Sequence, residues 1–105
     1  MAVKKQFASF QDLLNTTPKP VLVDFYATWC GPCKMMAPIL DQVSQQMGDR
    51  VQVVKIDTDK YPKLASQHQI EALPTLVLFK NGQEAERIEG VVQTPQLLER
   101  LQNLL

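Results

Sequence analysis

Two cysteines three positions apart, Cys30 and Cys33, stand where a nearly continuous apolar run, Val21 to Ala27, gives way to a helical pattern. That junction constrains the chain more than any other feature. With Cys33 in the first helical turn, both sulfurs face the same end of one helix. A helix N-terminus carries unpaired amide N–H groups and a partial positive charge, and both favour a thiolate over a thiol. The thiolate is the form that attacks a disulfide, so the pair suits reversible two-electron exchange. Cys30 precedes the helix and is expected to be the more exposed, attacking sulfur. Cys33, one turn in, is expected to be partly covered and to resolve the intermediate. Pro32 fits an early helical position because its missing N–H would have been an orphan there. An inert pair, or half of a zinc site, is the alternative; zinc usually takes four ligands, and the chain offers only His68 beyond the cysteines.

The rest of the chain alternates strands and helices. Ala2 to Gln6 reads as a short edge strand, and Ser9 with Asp12 reads as a capping box opening a small helix with Phe10, Leu13 and Leu14 on its apolar face. Thr16 to Pro20 is a loop, and Val21 to Ala27 is a strand covered on both faces, interrupted by Asp24. A helix from about Pro32 to Met47 carries Met36, Leu40, Val43 and Met47 at core spacing, is expected to kink at Pro38 through the loss of one backbone bond, and is expected to end at a left-handed Gly48. Val51 to Asp57 reads as a second buried strand with Lys55 as its exception, and Tyr61, Leu64 and Ala65 mark a short helix that fades by His68. Thr75 to Lys80, the turn Asn81-Gly82 and Gln83 to Gly90 form a hairpin. Thr94, capping through its hydroxyl, and Pro95 start the last helix, whose face is Leu97, Leu98, Leu101, Leu104 and Leu105. The order β-α-β-α-β-α-β-β-α implies an α/β fold: a mixed five-stranded sheet with helices on both faces.

Val23 to Leu40, with Trp29-Cys30-Gly31-Pro32-Cys33 at its centre, resembles the active-site segment of the thioredoxin family. Leu73-Pro74-Thr75, Phe79-Lys80-Asn81-Gly82 and Gly90 resemble its later landmarks, in order and at matching distances, so the resemblance covers essentially the whole chain. It implies the thioredoxin fold over residues 1–105 as one domain, and a thiol–disulfide oxidoreductase that reduces protein disulfides. It gives Cys30 and Cys33 the roles already read from their placement, and implies that they form the redox disulfide. Asp24, buried six residues before Cys30, should have a raised pKa and serve as a base near neutrality; a hydrogen-bonded structural carboxylate, with Lys55 as a candidate partner, is the alternative. By resemblance Asp24 assists deprotonation of the buried cysteine, and Lys55 tunes it, although a solvated strand-edge lysine reads almost as well. Resemblance also implies a cis Pro74 against the disulfide, where an extended target segment pairs with the backbone. It places Trp29, Gly31, Pro32, Leu73, Gly90 and Val91 around a shallow apolar groove at Cys30.

This chain departs from the family pattern at several places. Tyr26 stands where a second tryptophan is common, and Gln69 and Ala72 replace two frequent glycines. Glu71 replaces a basic residue and Glu89 an apolar one, so two carboxylates beside the groove should favour basic targets.

Composition limits the partners. Eleven basic against eleven acidic residues, with no basic stripe, argue against nucleic acid or membrane surfaces. No secretory signal follows Lys4 and Lys5. A monomer in the cytoplasm, or in an organelle stroma or matrix after processing, is expected. The chain has no nucleotide motif and no metal site, so no cofactor is expected. Electrons must then come from a separate reductase, NADPH- or ferredoxin-dependent, and pass to disulfide-containing target proteins. Disulfide oxidase or isomerase chemistry is a weaker reading, because Gly31-Pro32 replaces the histidine usual between such cysteines. A binding module with a structural role is the reading from another class.

Overall fold

A computed structural model describes residues 9–105. Helix α1 (Phe10–Thr16) opens with the Ser9 Oγ accepting the Asp12 N–H at 3.0 Å, which satisfies one orphan donor of the first turn. The following elements are β1 (Val21–Tyr26), α2 (Gly31–Met47), β2 (Gln52–Asp57), α3 (Pro62–Gln67), β3 (Thr75–Lys80), β4 (Gln83–Glu89) and α4 (Thr94–Leu104). The expected strand over residues 2–6 lies outside the described residues, among which the sheet has four strands rather than five.

The strand order is β2-β1-β3-β4, with β1 parallel to β2 and the other two pairings antiparallel. Alternation along β1 divides the core into two layers. Leu22 faces Met36, Leu40 and Val43 of α2 and Leu97 and Leu101 of α4. Val21, Val23 and Phe25 face Leu14 of α1, with Leu64 of α3 against the same layer. Burying each such leucine or valine is worth about 1.5–3 kcal/mol, so the two layers hold β1 from both sides.

Three expectations change on contact with the structure. Among the described residues β2 is an edge strand, and Ile56 alone of its six residues is buried. Gly48 is right-handed (φ −63°, ψ −19°); a Cβ there would run into the Ser44 carbonyl oxygen, so close approach, not left-handedness, calls for glycine. The Gly48 carbonyl accepts from Lys19 Nζ at 2.7 Å, a cation at the helix C-terminus. Helix α4 is preceded by Gln93 as its N-cap, no side chain caps it, and Thr94 is already inside. Helix α2 runs through Pro38, which removes the backbone bond to the Lys34 carbonyl. The hairpin turn forms as expected, with positive φ at both Asn81 and Gly82.

Helix α3 ends in a feature absent from the sequence reading. The Ile70 N–H donates to the Ala65 carbonyl at 2.9 Å and the Gln69 N–H to the Ser66 carbonyl at 3.0 Å. Those are the two bonds of a Schellman motif, and they put Gln69 in the left-handed position (φ 55°) that glycine usually fills. Gln69→Gly should therefore raise stability by roughly 0.5–1 kcal/mol in urea denaturation, the relief of left-handed strain exceeding the added entropy of the unfolded chain.

Candidate active site

The site is built at the C-terminal end of β1, which like β3 has neighbours on both edges. Beyond Tyr26 the backbone turns sharply, the Cys30 N–H donating to the Ala27 carbonyl at 3.2 Å. Cys30 is the N-cap of α2, and its Sγ accepts the Cys33 N–H at 3.2 Å. The sulfur thus occupies the place where a serine or aspartate oxygen usually caps, inside the positive end of the helix. Cys30 and Cys33 are joined in a disulfide, with Cα atoms 5.3 Å apart. Ala27 is buried with them, and Tyr26 and Leu73 pack against this small cluster.

Exposure does not separate the two cysteines as expected. Cys30 is 5% exposed and Cys33 6%, both lying in one small cluster with Ala27 against which Tyr26 and Leu73 pack. What distinguishes them is position: Cys30 receives the helix-terminal N–H, while Cys33 is an internal residue of the first turn.

Asp24 is 2% exposed, on the same face of β1 as Leu22, the side covered by α2. Its Oδ1 is buried without a hydrogen-bond partner. Burial pushes its pKa from 3.8 up to about 6, partly opposed by the charge of Lys55. Lys55 is its direct register partner on β2 and is exposed. Lys55→Met should raise the Asp24 midpoint further, since ionised Asp24 would lose a favourable charge; the carbon-13 shift of its carboxyl against pH measures this.

Leu73–Pro74 is a cis peptide bond, and Pro74 is buried. The Pro74 carbonyl accepts the Gly90 N–H at 2.8 Å, and the Ala72 carbonyl accepts the Thr75 hydroxyl at 2.6 Å. Gly90 has φ 86°, which accounts for glycine there. Gly31 and Pro32 are exposed beside the disulfide, and Trp29 is 70% exposed. Val91 packs against the α2–α4 core layer, so its contacts are those of a core residue more than of a groove wall.

Two contributors were not anticipated. The Trp29 indole N–H donates to Asp59 Oδ2 at 2.8 Å, which fixes an otherwise exposed ring. Asp59 is held in turn by its own N–H on Asp57 Oδ1, and Thr58 donates through both N–H and hydroxyl to the Tyr26 carbonyl. The Asp57-Thr58-Asp59 run signals a turn, but nothing in it points to a tryptophan 30 residues away. The second contributor is Arg87, which touches neither sulfur and binds the carbonyls of His68 and Gln69.

Among the described residues no group of His, Cys, Asp and Glu could hold a metal ion, and no helix is long and apolar enough to cross a membrane.

The thioredoxin family model matches residues 1–103. A thioredoxin-like protein of Synechocystis sp. is 67% identical over 102 residues, covering 97% of each chain. Thioredoxin Y2 of the Arabidopsis thaliana chloroplast is 60% identical, covering 99% of this chain and 63% of that protein. This chain thus spans under two thirds of that plant relative. A chain solved in work on the thiol resolving mechanism of a yeast mitochondrial 1-Cys peroxiredoxin superposes with TM-score 0.82 at 39% identity, covering 90% of this chain and 87% of that one.

Proposed function

This chain belongs to the thioredoxin family and is a thiol–disulfide oxidoreductase acting on protein disulfides, and from that premise we propose how its residues divide the work. In the reduced protein Cys30 attacks a target sulfur as thiolate, the target's S–S bond breaks, the other target sulfur leaves as thiolate and takes a proton from water, and a mixed disulfide forms. Cys33 then gives up its proton and attacks Cys30 Sγ, which releases the second target sulfur as a thiolate, to be protonated by water, and regenerates the internal disulfide. Asp24, with a pKa of about 6, accepts the Cys33 proton, directly or through water. Lys55 keeps Asp24 ionisable at neutral pH. The target lies extended along the backbone at Leu73 and Pro74, with Trp29, Gly31, Pro32 and Gly90 around it and Val91 behind.

The observation that supports this division is the Cys33 N–H bonded to Cys30 Sγ at the head of α2, which favours negative charge on that sulfur. Targets are disulfide-containing proteins, and a reductase restores the dithiol. We propose a compartment that keeps thiols reduced, and either an NADPH- or a ferredoxin-linked reductase; offering the oxidised protein to each separates them. Insulin reduction driven by dithiothreitol tests the activity. Turbidity should appear well before that of the reagent alone, and coincident curves would remove the reading.

A further inference from the structure

We infer that Arg87 is a positioning residue for target binding: its guanidinium clamps the end of α3 and so holds the segment running from Gln69 to Pro74 beside the disulfide. Arg87 sits on β4 opposite Val77 of β3, so its backbone is fixed in the sheet. Glu84 anchors the side chain at Nε (3.1 Å) and Nη2 (2.9 Å). The same guanidinium donates from Nη2 to the His68 carbonyl at 2.6 Å and from Nη1 to the Gln69 carbonyl at 3.1 Å.

Those two carbonyls stand at the point where a helix end has unsatisfied acceptors and where a non-glycine residue is left-handed (φ 55° at Gln69). An ion pair serving only solubility would direct its donors at carboxylates and water. Here the planar fork supplies donors to two successive backbone oxygens while holding Glu84 through two further bonds, four in all, more than the three donors of a lysine ammonium allow. Three residues further on, the Ala72 carbonyl is tied to Thr75, and the Pro74 carbonyl to Gly90. The segment Ile70 to Leu73 is thus fixed at both ends; at the first, ring packing of His68 on Phe10 and Phe79 holds the side chains, and Arg87 supplies the hydrogen bonds to the His68 and Gln69 carbonyls. Leu73 in turn packs on Cys30 and Cys33. Releasing the first end lets this segment leave the geometry in which a target strand would pair with it. The effect falls on extended protein targets and spares small disulfides, which need no backbone pairing.

This role presupposes docking of targets along Leu73–Pro74, as proposed above. The measurement is the second-order rate constant of pre-reduced protein with insulin and, separately, with 2-hydroxyethyl disulfide. Arg87→Gln should slow the insulin reaction about fivefold or more and leave the small-disulfide rate, and the pH profile of Cys30 alkylation, within twofold of the parent. Arg87→Lys should fall between the two. Gln69→Gly, which removes the need for a clamp at a strained residue, should restore most of the insulin rate to Arg87→Gln. If Arg87→Gln does not fold, Glu84→Gln, which loosens the anchor, should show the same selective loss in milder form. Equal slowing with both disulfides, or no slowing with insulin, or no rescue by Gln69→Gly overturns the assignment. Failure of the parent protein itself to reduce insulin would instead remove the proposed function.

Discussion

Cys30→Ser should reduce insulin turnover to the rate of dithiothreitol alone, because no sulfur would remain at the head of α2 to attack a target. Cys33→Ser should fail in a different way. Its Cys30 would still attack, but nothing could displace the product, so a covalent adduct with the target should accumulate and be visible as an added mass. The two variants thus separate attack from resolution, which exposure cannot do when both sulfurs are equally covered. A protein whose value was purely structural would lose nothing with either change. If the adduct accumulated with Cys30→Ser and not with Cys33→Ser, the assigned order of the two sulfurs would be reversed.

Asp24→Asn should make the protein more stable and slower at once. Burial raises the native pKa from 3.8 to about 6, so between those values the native state holds a proton that the unfolded chain has released. Stability therefore falls as pH rises through this window and levels off above it. The gap between 3.8 and about 6 corresponds to roughly 3 kcal/mol of cost for the ionised group at pH 7. An amide removes the charge but still buries a polar group, so the expected gain is roughly 2 kcal/mol at pH 7.5 and close to nothing at pH 4. Urea denaturation at the two pH values measures it. Resolution of the mixed disulfide at pH 7 should slow about a hundredfold if Asp24 takes the proton. A stability gain without that loss would leave Asp24 as a structural carboxylate only.

How much of this was legible in the chain depends on how far apart the interacting residues lie. The β1–α2 junction is local, and its apolar run, proline and cysteine spacing announced both elements and the disulfide site. The Asn81-Gly82 hairpin is local as well, and it too formed as read. Gly48 and Thr94 were misjudged because glycine and threonine each satisfy more than one local demand, and backbone crowding or chain entry decided which. The partial exposure of β2 was hidden because burial depends on what packs over a strand, and Val51 to Asp57 is apolar enough to read as buried. Asp59 on Trp29 and Arg87 on the end of α3 were invisible for the same reason: an exposed polar residue carries no pattern, and its partner is set by the fold alone.

Rooting the cysteines at the tip of a strand flanked on both edges has one more consequence. The amides of β1 are bonded to β2 on one side and β3 on the other, and both faces are sealed by helices. Such a strand opens only when the whole molecule does, so its hydrogen exchange should be among the slowest in the chain. Warming should then leave the redox centre intact up to the cooperative transition and destroy it there, with no preceding loss of activity from local melting.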